Sequence, residues 1–223
     1  MKRNGKLIIS ACCFFGVIIL IILLRLVDVA PIGPNNTCVG LSHLNEFVFN
    51  LFGVNMLWYT VTDWLGIAAI LTAFLFSITG FIQLLKRKRL LKVDREILAL
   101  GGLYLIVIGL YVLFEKAIVN YRPIIMPGGV QPEASFPSSH TLLVCVVMGN
   151  AIMLIGRYIK SKPLCMVLKT ICLLIIAVTI IGRLISGVHW FTDILGGILI
   201  SASLLSLFSA IAFCNTNQVK NQR

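Results

Sequence analysis

The chain has 223 residues, 59% of them hydrophobic and 12% charged, with a mean hydropathy of +1.00. A soluble domain of this length has too little interior for so much apolar sequence, so the class is a polytopic all-α membrane protein, read as one domain over residues 1–223. The net charge of +11 does not point to nucleic acid, because most of it sits in short clusters between apolar runs; even "KRKR", Lys86 to Arg89, follows directly on a hydrophobic segment.

Six apolar segments are long enough to span a bilayer, allowing for tilt: Leu7–Leu24, Trp64–Leu85, Ile97–Phe114, Thr141–Gly156, Val167–Ile185 and Ile194–Phe213. The first follows the basic "MKRNGK" but is too long for the ~7–15-residue core of a secretory signal, and Asp28 and Pro31 spoil a cleavage site, so it reads as a retained helix. The connections alternate in charge, the second and fourth and both ends being the basic ones. Lys2, Arg3 and Lys6, then Lys86 to Arg95, then Arg157, Lys160, Lys162 and Lys169, and finally Lys220 and Arg223 fall on one side. The excess of Lys and Arg makes that side cytoplasmic and places both termini there. The other side carries Arg25, Lys116, Arg122 and Arg183.

Between the first two spans lies "LSHLNEFVFNLFGVNMLWY". Leu44, Phe47, Val48, Leu51 and Phe52 form one helical stripe, followed by Trp58, Tyr59 and Trp64. This pattern suits an amphipathic helix lying in the outer interface as an anchor, with an aromatic belt beside it and His43 as a solvated surface residue. The seven cysteines form no CxxC pair; all but Cys38 fall in or beside apolar runs and read as small hydrophobes. The pairs Gly101–Gly102 and Gly196–Gly197 read as close helix contacts rather than phosphate loops.

Three polar clusters share the non-cytoplasmic side. "EKAIVNYRP" carries Lys116, Arg122 and Pro123; "FPSSH" carries Ser138, Ser139 and His140; "GRLISGVHWFTDILGG" carries Arg183, His189 and Asp193. His189 and Asp193 stand four apart, so on a helix starting near residue 189 their side chains can touch, the carboxylate fixing the imidazole tautomer or simply stabilising the helix start. Ser138 or Ser139 caps the fourth span, and such a helix start also cradles anions. An arginine near the bilayer costs ~2.5–3.5 kcal/mol on insertion scales, so Arg183 needs a compensating partner. Three cations, a hydroxyl-rich helix start, two histidines and a carboxylate together suit phosphoryl transfer, which needs charge neutralisation, an in-line nucleophile and a proton for the leaving oxygen.

On these motifs the sequence resembles the type 2 phosphatidic acid phosphatases (PAP2), which share a site with vanadium haloperoxidases. The family pattern is a lysine, six intervening residues and Arg-Pro, then Pro-Ser-Gly-His, then Ser-Arg, five residues, His, three residues, Asp. Arg122-Pro123, Pro137-Ser138-Ser139-His140 and Arg183, His189 and Asp193 match it, within a motif-bearing core of about 97–213. The resemblance implies a six-helix bundle with a haloperoxidase-like core. It implies a lipid phosphatase without metal or other cofactor, acting on a lipid phosphomonoester or diphosphate such as an isoprenoid diphosphate, phosphatidic acid or phosphatidylglycerol phosphate.

By the same resemblance His189 is the nucleophile that forms a phosphohistidine, Asp193 orients it, and His140 is the acid and then the base. Arg122, Arg183, Lys116, Ser138 and Ser139 hold the phosphate. Its partners are the lipid substrate and membrane lipids, with the active site on the extracytoplasmic face of the plasma membrane. Three departures stand out: only five residues separate Lys116 from Arg122, with Glu115 in the lysine's slot; Ser139 replaces glycine; Gly182 replaces serine. A lipid phosphotransferase using the same intermediate, a transporter with a histidine proton relay, and a metal site of His140, His189 and Asp193 remain alternatives from the residues alone.

Overall fold

The computed structural model describes residues 3–213; Lys2, Cys214, Lys220 and Arg223 lie outside the described residues. The described residues form seven α-helices: α1 Arg3–Leu26, α2 Ser42–Phe52, α3 Met56–Arg87, α4 Arg95–Lys116, α5 Ser139–Tyr158, α6 Lys162–Ile185 and α7 Phe191–Ala212. All but α2 are long and apolar enough to cross a membrane, as the six apolar segments require. Among the described residues the only extended pairings are the single bridges Ala30 with Val39 and Tyr121 with Ala134.

Helices α5 and α7 are central. Their most apolar stretches are 61% and 50% buried, against 11–22% for the other four spans. Helix α1 packs along α7, and α5 packs against α3, α6 and α7. One core joins Leu103 and Val107 of α4, Leu142 and Val146 of α5, and Ile200, Leu204 and Phe208 of α7. A second joins Ala69, Val144, Met148 and Cys172. Exposed Phe14, Ile19, Phe74, Leu75, Leu105 and Leu173 face outward, as a lipid-facing surface requires. Cys12 is exposed on that surface and Cys13 and Cys165 are half-buried, whereas Cys145 and Cys172 are buried.

The spans alternate in direction. Arg3, Lys6, the segment 86–95 and the α5–α6 turn therefore gather at a basic end, while 27–55, 117–138 and 186–190 gather at the opposite, motif-bearing end. Helix α3 starts at Met56, eight residues before the apolar run at Trp64. Its 32 residues extend about 48 Å, well beyond the ~30 Å hydrocarbon thickness. With Lys86 and Arg87 at the basic end, the first turns of α3 project past the hydrocarbon at the motif end. Asn55 caps them, its side-chain oxygen accepting the N–H groups of Leu57 (3.1 Å) and Trp58 (3.3 Å). Hydropathy marks where the lipid begins; the cap marks where the helix begins.

That early start turns Trp58 and Tyr59 inward, so of the expected aromatic belt only Trp64 is exposed. Helix α2 has the expected stripe: Phe47 and Leu51 are exposed, while Asn45 on the other face is buried and hydrogen-bonded to Thr192. His43 is exposed but not free, because its Nδ1 lies 2.6 Å from Asp28 Oδ1. Three donors from Ser42 and His43 hold the Asp28 carboxyl below its ordinary value, the His43 backbone N–H most strongly. Gly196 and Gly197 do make close contacts, against Phe136 and Ser138, whereas Gly101 and Gly102 face open space.

Candidate active site

The motif end closes around a short antiparallel ribbon between α4 and α5. Arg122 N–H donates to Glu133 O (3.0 Å) and Ser135 N–H donates to Asn120 O (2.9 Å). This pairing aims Arg122, Glu133 and Ser135 at the α6–α7 turn, and the Trp190 indole N–H ties the turn down on Tyr121 O at 2.7 Å.

His189 lies in that turn, nearly fully buried. Its Nδ1 is 3.1 Å from Ser135 Oγ, and Ser135 Oγ in turn donates to Asp193 Oδ2. Asp193 and His189 are 3.8 Å apart at the same atoms, too far for a direct hydrogen bond. The two side chains are within ion-pair reach, as their spacing suggests, but they do not share a helix face. Helix α7 starts only at Phe191, so His189 precedes it, and Asp193 is spent on the helix start, accepting the Trp190 N–H at 2.9 Å. A hydroxyl bridges the gap.

This relay sets the tautomer. Asp193 takes the Ser135 proton, Ser135 Oγ takes the Nδ1 proton, and His189 Nε2 is left with its lone pair, 3.4 Å from Arg122 Nη1. Burial, then the nearby Arg122 and Arg183 charges, push the His189 imidazole well below its ordinary value. An imidazole must be unprotonated to act as a nucleophile, and these surroundings favour that form. Ser135 was missed in the sequence; its signal was a hydroxyl three residues before Ser138. Ser135→Ala is expected to lower kcat roughly 10–100-fold by freeing the imidazole, with little change in thermal unfolding.

A cavity of about 420 Å³ opens beside His189. Arg122, Glu133, Ser135, Ser139, His140 and His189 form its polar wall, and Ile70, Val107, Ile108, Tyr111, Leu142 and Leu143 its apolar wall. Both histidines thus share one cavity at one end of the bundle. Arg122 is oriented by Glu133 (Nε to Oε2, 3.1 Å) and Val188 O (3.3 Å). Ser139 opens α5 and is absent from the residues with positive φ, so replacing glycine there costs no strain. Ser138 is the N-cap, but its hydroxyl accepts from Thr141 Oγ1 (3.0 Å) rather than capping; its backbone N–H donates to Asp193 O (3.0 Å).

Arg183 and Lys116 depart from the expected shell in different ways. Arg183 is fully buried behind the cavity wall, donating from Nη2 to Asp63 and stacked on Tyr59 at 4.9 Å. Its Nε and Nη1 have no partner among the described residues. Buried guanidinium donors without acceptors are an anion-binding feature. Lys116 is exposed on the last turn of α4 and does not line the cavity; Glu115 does. One residue turns a helix by ~100°, which carries the lysine off the site face. Lys116→Ala is accordingly expected to change kcat/KM less than about 3-fold, well short of the loss on removing an oriented phosphate contact. Among the described residues no three His, Cys, Asp or Glu side chains form a metal-binding group.

Comparison with known proteins decides the family. The PAP2 superfamily model matches residues 103–216, just over half of the chain. The protein belongs to the PAP2 superfamily. Its fold is also that of a transmembrane PAP2-type phosphatidylglycerolphosphate phosphatase from Bacillus subtilis, whose crystal structure it matches with a TM-score of 0.61 and 21% identity, over 92% of this chain and 94% of that one. A search of curated proteins gave no match. The matched PAP2 segment begins within α4, so α1, α2 and α3 stand outside it. A phosphatase of the membrane and an all-α bundle of six spans follow directly.

Proposed function

We propose that the protein is a lipid phosphatase that passes the phosphoryl group through His189. The observation that carries this reading is the single cavity that joins His189, His140 and Arg122 to an apolar wall from α3, α4 and α5. A lipid can leave its chains along Ile70, Val107, Ile108 and Leu143 while its phosphate reaches the histidines. Arg122, the free donors of Arg183 and the α5 N-terminus neutralise the phosphoryl oxygens.

In the first step the Nε2 lone pair of His189 attacks phosphorus. The bond to the lipid oxygen breaks, and that oxygen takes a proton from His140. In the second step a water oxygen attacks phosphorus, His140 takes the water's proton, and the N–P bond breaks to release inorganic phosphate. The Ser135–Asp193 relay holds the positive charge that develops on His189 in the first step and is lost in the second. Asp193, Ser138 and Ser139 support this machinery through the helix starts of α5 and α7, and Lys116 has no part in it.

The basic end holds the Lys and Arg clusters, so it is the cytoplasmic end, with both termini there and the cavity on the extracytoplasmic side of the plasma membrane. The substrate class is a lipid phosphomonoester or diphosphate: an isoprenoid diphosphate, phosphatidic acid or phosphatidylglycerol phosphate. The test is phosphate release by purified protein from that panel, with chelator present. Release from at least one lipid, with an acid-labile phosphoprotein that His189→Ala abolishes, supports the reading. Label passed to a second lipid instead of water would select the transferase, and ion flux without phosphate release would select the proton relay.

A depressed imidazole also makes a pH prediction. A group whose folded pKa is lowered stays deprotonated to lower pH, so His189 remains nucleophilic as pH falls through the ordinary histidine value of ~6.5. The phosphorylation rate, measured by rapid quench, is expected to hold from pH 7.5 to 6.

A further inference from the structure

The stripe Tyr59, Thr62, Asp63 and Gly66 on α3 follows the i, i+3, i+4, i+7 spacing of one helical face. Every member of it meets a site residue or its neighbour. The Tyr59 ring lies under the Arg183 guanidinium at 4.9 Å. Thr62 abuts Gly182, where an added Cβ would stand 2.5 Å from Thr62 Cγ2 and 3.0 Å from Trp58 Cε3. An added Cβ on Gly66 would stand 2.9 Å from His140 Cδ2. The serine-to-glycine departure at Gly182 thereby has a physical reason: it lets α6 and α3 approach closely enough for Asp63 to reach Arg183. Gly66 in turn gives the His140 ring room to lean against α3.

Asp63 is the centre of this face. Its Oδ1 stands at ion-pair distance from His140 Nε2, 3.0 Å, and accepts from Arg183 Nη2. Arg183 is fully buried, whereas the side chains of Asp63 and His140 are 35% and 31% exposed. One carboxylate oxygen therefore links the proposed acid to the proposed phosphate-binding cation, at the edge of the cavity and from a helix outside the matched PAP2 segment.

We infer that Asp63 is a positioning residue that holds His140 and Arg183 in working orientation; the inference rests on the phosphatase reading above. With Nε2 paired by charge with Asp63, Nδ1 of His140 is the nitrogen left to exchange a proton with the leaving oxygen and then with water. With Nη2 bonded to the same carboxylate, the guanidinium plane is fixed and the partnerless Nε and Nη1 are the donors left for phosphate. Asp63 itself does not line the cavity, so it acts through these two side chains.

The discriminating experiment varies the leaving group. Wild type, Asp63→Ala and Asp63→Asn are compared on phosphatidic acid, whose alkoxide must be protonated to leave, and on p-nitrophenyl phosphate, whose phenolate leaves without a proton. Loss of a well-placed general acid costs on the order of 10²-fold in kcat. That loss is expected on phosphatidic acid. On the aryl ester nitrophenol should appear in a burst near one equivalent, with phosphohistidine accumulating because water activation also needs His140. Asp63→Asn keeps the side-chain shape and decides the matter if Asp63→Ala does not fold. Wild-type rates in Asp63→Asn, or equal losses on both substrates without accumulated phosphoenzyme, would overturn the inference while leaving the phosphatase reading intact. A wild type that releases no phosphate and forms no phosphoenzyme removes both.

Discussion

His189→Ala is expected to reduce phosphate release to background, a loss of about 10⁴-fold or more, as when a covalent nucleophile is removed from a preorganised site. Most of the site remains to be tested around it. Ser135 keeps its bond to Asp193, Arg122 keeps Glu133 and Val188 O, and the α7 start keeps its Asp193 contact with the Trp190 N–H. The variant should therefore fold and still bind lipid phosphate, and the loss should fall on kcat. Phosphate-release kinetics and alkaline-quench trapping of the phosphoprotein check this together. Hydrolysis near the wild-type rate in purified His189→Ala would remove the nucleophile from the assignment, whatever the other residues do.

Arg183→Ala should cost both stability and activity. The side chain has no exposed surface, and removing it opens a void over Tyr59 and leaves Asp63 without its cation. Breaking a fully buried pair costs about 3–5 kcal/mol; because Asp63 is about a third exposed and keeps His140, a smaller penalty of about 2–3 kcal/mol is expected. Loss of the donors Nε and Nη1 should lower kcat/KM by about 10²–10³-fold. Thermal unfolding in detergent and steady-state kinetics read the two effects separately. Arg183→Lys restores a charge but not a planar fork, so it should recover more stability than activity. An Arg183→Ala protein with wild-type Tm and kcat/KM would show that this guanidinium serves neither role.

Membrane class, six spans, their alternation and the three polar clusters are all legible in the chain itself. The reason is that a bilayer imposes a one-dimensional rule: apolar runs of fixed length, separated by loops sorted by charge. The motif spacings are local enough to single out Arg122, His140, His189 and Asp193. Tertiary structure decided how those groups meet. Ser135 stands between His189 and Asp193 because α7 begins two residues after the histidine, and a helix start is set by caps and turns rather than hydropathy. Lys116 lies off the cavity because azimuth around α4 depends on how that helix packs, and one residue of register turns it away. Asp63 lies 120 residues from Arg183 in sequence, so nothing local couples them. The insertion cost of a buried arginine requires a partner, but only the packing of α3 on α5 and α6, through Gly66 and Gly182, selects which carboxylate it is.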